Sequence, residues 1–536
     1  MNFNPDFNPY STQKRPVYGK KGMVATSQPL AAQAGLEVLK KGGNAVDAAV
    51  ATAAALTVVE PTSNGIGSDS FAIVWLNGKM FGLNSSGYSP KSISIDALHS
   101  LGYKEMPTHG IVPITVPGAP AAWAELTSRF GNLTLKECLT PAIEYASSGY
   151  PLSPVLAKNW SNGYSFYKKL ASEHDFKAWF DTFAPQGEPP KVGEIWSSKA
   201  HAENLLEIAE TNSESFYRGR LADIISDYMA KSGGFLSKSD LEEYTPEWVE
   251  PIFTNYRGYD VWEMPPNGQG LVTLIALNIL REFDVSSLSP EDCYHKSFEA
   301  MKLAFTAGKE FITDPNHMRI SVESLLSKEY ADKLRDNISD KALEPSPISP
   351  YSGGTVYLCT ADGDGNMVSF IQSNYSGFGS GIVIPGTGIS MQNRGGDFHL
   401  NPDHANALAP RKRTYHTIIP GFLTKNEIPI GPFGVMGGYM QPQGHLQVLM
   451  NTIDFNLNPQ ATLDRPRWQW IKGKEFEIES NFDENISKNL AKKCHEVSIS
   501  TATVKFGNGH IIWRDPASGV LCGGMESRCD GHIAVW

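Results

Sequence analysis

Residues Pro345 to Gly354 read Pro-Ser-Pro-Ile-Ser-Pro-Tyr-Ser-Gly-Gly, a run too rich in Pro, Ser and Gly to form a regular element. Directly after it the pattern turns to period two. Thr355 to Ala361 is β-branched and aromatic, Asp362 to Asn366 is turn chemistry, and Met367 to Ser373 is a second strand. A hairpin whose first residue follows a linker constrains the fold more than any other feature, because both strands must find sheet neighbours while the leader stays irregular. It also has a chemical consequence. If the chain were cut between Gly354 and Thr355, one residue would carry both a hydroxyl nucleophile and an α-amine. Such an amine titrates near pH ~7.7–8.0, against ~10.4 for Lys, and so can accept a proton near neutrality.

The rest of the chain supplies helices to cover such sheets. Leu30 to Lys40 has helical spacing and stops at Gly42-Gly43; Asn44 can cap Ala45 to Val59, which Pro61 ends. Gly22 to Ala25 and Phe71 to Leu76 read as strands, as do Ile111 to Pro117, Tyr256 to Trp262 and Ile382 to Ile384. Ala119 to Arg129, Thr140 to Ala146, Gly270 to Phe283, Cys293 to Phe311 and Leu446 to Ile453 read as helices. The outline is α+β with antiparallel sheets, and the clearest boundary is the linker 340–354.

Composition excludes several function classes. A net charge of −11 over 536 residues argues against nucleic acid or an anionic membrane as the main partner. No apolar run reaches the ~18 residues of a membrane span. The segment Met1 to Gly22 has no apolar h-region, so the expected location is the cytoplasm. The six cysteines form no Cys-x-x-Cys pair and are expected as thiols.

Other candidate sites are weaker. Gly65 to Ser70 lacks the Lys-Ser/Thr of a phosphate loop, and Asp362 to Asn366 lacks the Gly and Glu of a calcium loop. His399 and His404, with Asp397 and Asp403, fit no metal-ligand spacing, so no metal and no cofactor are expected. Trp160, Trp179 and Trp196 are expected in packing. The adjacent Gly437 and Gly438 could present backbone amides to an oxyanion, or form a tight turn.

Taken together, Gly35 to Ala49, Val59 to Gly67, Val116-Pro-Gly118, Glu299 to Phe305, the hairpin with Asp364-Gly-Asn366, Phe378 to Gly381 and Met436-Gly-Gly438 resemble, in order, the gamma-glutamyltransferase (gamma-glutamyltranspeptidase) family of N-terminal-nucleophile hydrolases. The resemblance implies an αββα sandwich of two stacked antiparallel sheets between helical layers. It implies self-cleavage at Gly354–Thr355 into a large part, 1–354, and a small part, 355–536, intertwined in one fold, with a dimer of that unit a further expectation. It implies Thr355 as nucleophile and Gly437 and Gly438 as the oxyanion site, with Ser373, Tyr375, Asn393, Arg394, Asp397, His416 and Thr417 around the substrate.

This sequence departs from the family where glutamyl groups are bound. Ser86 stands at the place of the Arg that grips the α-carboxylate, His416-Thr417 at the serine pair, Tyr375 at an Asn and Arg394 at a Gln, while Asn393 and Asp397 are retained. Arg394 is expected either to bind a substrate carboxylate or to pair with Asp397. The functions implied are a γ-glutamyl amide hydrolase or transferase, an amide acylase of the cephalosporin (glutaryl) type, or an uncut, non-catalytic binding member.

Overall fold

The computed structural model describes residues 14–345 and 354–536. Most of the linker placed at 340–354 therefore lies outside the described residues. The hairpin is Gly354–Asp362 paired antiparallel with Met367–Tyr375, Thr355 opposite Ser373. It sits in the middle of a seven-stranded antiparallel sheet, between Gly22–Thr26 on one side and Asp69–Leu76 on the other. A second seven-stranded antiparallel sheet contains Ile252–Tyr256, Tyr259–Glu263, Gly421–Lys425, Ile428–Met436 and Asn508–Arg514.

Strand alternation decides which layer each residue meets. Val356 and Leu358 join the apolar cluster of the helix Ala45–Val59, whereas Tyr357, Cys359 and Ala361 join the cluster between the sheets, with Met436, Phe422 and Ile512 from the second sheet. Thr355 shares the parity of Tyr357, so its side chain belongs to the inter-sheet face. Tyr357 fits because Gly434 faces it; a Cβ there would stand 2.4 Å from its ring. On the outer face of the second sheet, Gly270–Leu280, Pro290–Phe311 and Met440–Ile453 pack on Leu423, Phe433 and Val435. The order helix, sheet, sheet, helix is the expected αββα sandwich.

The helix Ala45–Val59 is buried along its whole length, as its Ala-rich composition allows. Asn44 and Asp47 form its capping box. Asp362 in the hairpin turn accepts from Ala45 N at 3.1 Å, and Thr360 Oγ1 donates to Ala45 O at 2.7 Å. Hairpin and helix are thus tied end to end.

Several boundaries differ from expectation. Residues 111–117 form no strand; they cross beneath Asn393–Asp397, where Gly395 N bonds Pro113 O at 2.8 Å. Tyr256 to Trp262 is two strands joined at Arg257-Gly258, both at positive φ. Ile382 to Ile384 makes only an isolated bridge, Val383 to Ser390. Thr140 to Ala146 extends to Leu135–Ser148, and the helix read from Leu446 starts at Met440. Within the N-terminal tail Val17–Gly19 pairs with Leu521–Gly524, and one parallel pair, Glu475–Glu479 with Glu496–Ser500, lies outside the main sheets. Among the described residues, no helix is long and apolar enough to cross a membrane.

Candidate active site around Thr355

Thr355 is 1% exposed, and its hydroxyl lies 3.0 Å from Ser373 Oγ. The same serine donates to Gly354 O at 2.8 Å and accepts from Tyr375 N, also at 2.8 Å. With its one proton given to the Gly354 carbonyl, Ser373 can only accept from Thr355, so the Thr355 O–H is the donor. One serine therefore polarises the Gly354–Thr355 peptide carbonyl and takes a hydrogen bond from the hydroxyl beside it.

Gly437 and Gly438 follow strand Ile428–Met436 and open helix Met440–Ile453, with φ of 136° and 62°. Positive φ is open to glycine at little cost. Gly437 O accepts from Met440 N at 3.1 Å, and Gly438 O accepts from Gln441 N at 3.2 Å and Gln269 Nε2 at 2.9 Å. These bonds fix the orientation of the two peptides.

Arg394 is fully buried in the short helical turn Arg394–Asp397. It donates through Nη1 to Thr417 Oγ1 at 2.7 Å and through Nη2 to Ser373 Oγ at 3.4 Å, and lies over the Tyr375 ring at 4.2 Å. The expected pair with Asp397 is wide, 3.9 Å. Asp69 is nearer, at 3.6 Å from Nε. Asp397 Oδ1 accepts from Tyr375 O–H at 2.8 Å and Tyr439 O–H at 2.9 Å, while its buried Oδ2 accepts no hydrogen bond among the described residues. The Lys309 ammonium donates to Tyr439 and sits 3.7 Å over its ring; burial pushes it down to about 8.

The other expected residues are structural neighbours of this core. Asn393 Nδ2 donates to Thr108 O at 2.5 Å and Ser376 Oγ at 3.1 Å, and its Oδ1 accepts from Ser376 N at 3.1 Å, holding the bend after Tyr375. His416 Nδ1 accepts from Ile418 N at 3.4 Å, which leaves Nε2–H to donate to Asp69 Oδ2 at 3.0 Å. Burial holds His416 well below the usual imidazole range and raises Asp69 to about 7. Ser86 is buried, its hydroxyl donating to Asn84 Oδ1 at 2.7 Å. Asp69, Lys309 and Tyr439 were not among the residues expected from the sequence. They come from three distant segments and no local spacing marks them.

These features sit in a chain whose relationships are clear. The sequence model of the gamma-glutamyltranspeptidase family matches residues 31–536. The chain belongs to the gamma-glutamyltranspeptidase family. It is similar to the glutathione hydrolase-like YwrD proenzyme of Bacillus subtilis (strain 168), 36% identical over 528 residues, covering 96% of this chain and 98% of that one. The oxamate amidohydrolase proenzyme of Klebsiella pneumoniae is 32% identical over 526 residues, covering 96% and 98%. The crystal structure of cephalosporin acylase from Bacillus halodurans superposes with a TM-score of 0.97 at 59% identity, covering 100% of this chain and 99% of that one. This gamma-glutamyltranspeptidase-family chain is an enzyme with an N-terminal-nucleophile hydrolase fold.

One further cluster has metal-ligand composition. His295, Glu299 and His495 bring their ligand atoms within 4.8 Å of one another. Their hydrogen bonds describe a clamp instead. His295 Nε2–H donates to Ser339 O at 2.8 Å, so its Nδ1 accepts from His495 Nε2–H at 2.8 Å. The Lys302 ammonium stands 2.6 Å from Glu299 Oε1 and also donates to Leu343 O at 2.7 Å, while Glu299 Oε2 accepts from Leu343 N at 3.0 Å. The group fits the backbone of 339–343 and not a cation. His399 and His404 stack on each other, their Nδ1 atoms accepting from Asn401 N and Asn406 N at 3.0 Å, and likewise hold a loop.

Lys302→Met strands the buried Glu299 carboxylate and is expected to cost about 3–5 kcal/mol, read as a lower urea midpoint. Adding Glu299→Gln should recover part of the loss, and a chelator should leave the parent protein unchanged. Glu60, at the C-cap of helix Ala45–Val59, is buried, accepts from Ser27 Oγ and is raised by that burial from 4.5 to about 7. Because its folded value is raised, its stabilising contribution is complete below the unfolded value and is lost as pH rises through about 7. Relative to Glu60→Gln, the parent should therefore lose on the order of 3 kcal/mol between pH ~4 and ~8, measured by denaturant unfolding at each pH.

Proposed function

We propose that the chain is a precursor that cuts itself between Gly354 and Thr355, and that the exposed Thr355 then hydrolyses or transfers the acyl group of small amides. The observation that carries this reading is the serine bridge: Ser373 Oγ contacts both the Thr355 hydroxyl, at 3.0 Å, and the Gly354 carbonyl, at 2.8 Å. In self-cleavage Thr355 Oγ attacks the Gly354 carbonyl carbon. The C–N bond breaks, the nitrogen takes up the proton to become the Thr355 amine, and water hydrolyses the resulting ester to a Gly354 carboxylate.

In turnover Thr355 Oγ attacks a substrate amide and its own amine accepts the hydroxyl proton. The Gly437 and Gly438 amides stabilise the oxyanion, and the proton passes to the leaving amine as the C–N bond breaks. Water or a second amine then releases the acyl group from the threonine ester. The fragments would be residues 1–354 and 355–536, together forming the one sandwich.

The acyl group in this reading bears a carboxylate, bound by Arg394, which hydrogen-bonds Ser373 beside the nucleophile. A γ-glutamyl group is supported by the Asp397 Oδ2 acceptor, which a substrate ammonium would satisfy. A glutaryl-type acyl group, without that ammonium, is supported by Ser86 at the family's Arg position and by the likeness to the Bacillus halodurans acylase.

Intact mass and N-terminal sequencing after storage at neutral pH should give two fragments, the smaller starting at Thr355, and Thr355→Ala should stay whole. A parent chain still uncut after prolonged incubation overturns the reading. In the mature enzyme, Arg394→Gln is expected to raise KM for γ-glutamyl and glutaryl amides by roughly tenfold or more and to spare neutral acyl amides. Equal effects on charged and neutral substrates would remove Arg394 from acyl recognition.

A further inference from the structure

Besides Arg394, one more cation acts on Asp397, and no step above uses it. Lys309 lies near the end of helix Pro290–Phe311. Its ammonium donates to Tyr439 Oη and lies 3.7 and 4.4 Å over the Tyr439 and Tyr415 rings. The Tyr439 O–H in turn donates to Asp397 Oδ1 at 2.9 Å, so a single hydroxyl links the two charges. Among the described residues Lys309 forms no close ion pair, and Asp397 is the carboxylate whose charge acts on it. Burial lowers it only to about 8, so it is still an ammonium at neutral pH. The other titratable groups around it are the two tyrosines, the exposed Glu310 next in the chain, and His404, whose proton affinity the Lys309 charge helps to lower.

Asp397 thus has a cation on each side. Arg394 Nη1 approaches its Oδ2 at 3.9 Å, and Lys309 acts on its Oδ1 through Tyr439. The second acid of the group, Asp69, is bonded to His416 and raised by burial to about 7, so it carries only part of a charge near neutrality. An acyl group with one carboxylate therefore brings the whole group close to balance. A γ-glutamyl group has the same carboxylate and an ammonium beside it. That ammonium would seek Asp397 Oδ2, which accepts no hydrogen bond among the described residues. It would then stand as a third cation around one carboxylate, where burial leaves little water to screen the repulsion.

We propose that Lys309 is a specificity-determining residue: its charge disfavours an ammonium on the acyl group and so sets a preference for acyl groups with a lone carboxylate, glutaryl in kind, over γ-glutamyl. This deepens the amidohydrolase reading and rests on it, choosing between the two acyl groups which that reading admits. Lys309 touches neither the reacting bond nor the leaving amine in this scheme. It acts through Asp397.

The test uses the mature enzyme at neutral pH and two p-nitroanilides, that of glutaric acid and that of L-glutamic acid at its γ-carboxyl. They share the amine and differ only in the ammonium beside the free carboxylate. Lys309→Met is expected to raise kcat/KM for the γ-glutamyl anilide relative to the glutaryl one by roughly fivefold or more. Lys309→Arg keeps the charge and should hold that ratio within about twofold of the parent. A structural role alone would lower both rates together, and that unchanged ratio overturns the proposal. A fall confined to the γ-glutamyl anilide overturns it as well, since Lys309 would then grip that substrate and not repel it. Two-fragment processing shows that a variant has folded. Failure of the amidohydrolase reading would appear separately, as an uncut parent or as no hydrolysis of either anilide. Calorimetric binding of free glutarate and L-glutamate then reads the preference without turnover. Tighter binding of glutarate by the parent, with a gap in Kd that Lys309→Met narrows, supports the proposal; an unchanged gap or binding of neither overturns it.

Discussion

The hairpin Gly354–Tyr375 has no free face, and the rest of the structure follows from how both faces are covered. Its odd positions meet the second sheet and its even positions meet the helix Ala45–Val59. A one-residue slip of register would turn Tyr357 into the helix layer and Thr355 away from Ser373. Burial on both sides makes that slip expensive, so the covering layers set the position of the Thr355 hydroxyl as firmly as its own hydrogen bonds do. The tie from Asp362 and Thr360 to the start of the helix acts at the far end of the same strand, fixing it lengthwise.

The site is built from charges that burial would not normally tolerate. Arg394, Asp69, Asp397 and Lys309 come together with little or no exposure, and each is compensated by hydrogen bonds or by an aromatic ring: Thr417 and Tyr375 for Arg394, His416 for Asp69, two tyrosine hydroxyls for Asp397, Tyr439 and Tyr415 for Lys309. No ion pair in the group is close; the two contacts of Arg394 with carboxylates are 3.6 and 3.9 Å. A cation held loosely among anions keeps more of its five donors for other acceptors than one engaged in a bidentate pair. That spacing sets Arg394 apart from Arg528, which grips Glu479 and Glu526 directly.

What was legible in the sequence was whatever local chemistry determines. The hairpin and its turn and the capped Ala-rich helix follow from period, capping and turn residues over a few positions. The strand read at 111–117 failed because its alternating apolar residues pack under the Asn393–Asp397 turn and not beside another strand. Helix ends at Leu135 and Met440 were missed because burial of Pro141 and of Gln441-Pro-Gln-Gly, residues of low helix propensity, outweighs local preference. Around Thr355, the resemblance located residues by alignment, and it could not reveal that Asn393 supports a bend or that Asp69 stands nearer Arg394 than Asp397 does. Those are facts of three-dimensional pairing between segments hundreds of residues apart.

Ser86, which the family resemblance sets at the place of an arginine, and Arg394 lie in differently built surroundings. Ser86 sits in an Asn84–Asn267 hydrogen-bond group, with Arg413 donating to its carbonyl at 3.1 Å and also pairing with Glu247. Arg394 enters from the turn that carries Asp397 and reaches the Thr355 hydroxyl through a single serine. The cation on the hairpin side thus stands one hydroxyl away from Thr355, while the far side of Gly354 borders a cavity of about 520 Å³. On the proposed amidohydrolase reading, residues beside Ser373 could be exchanged to change the acyl group admitted without disturbing the hairpin itself.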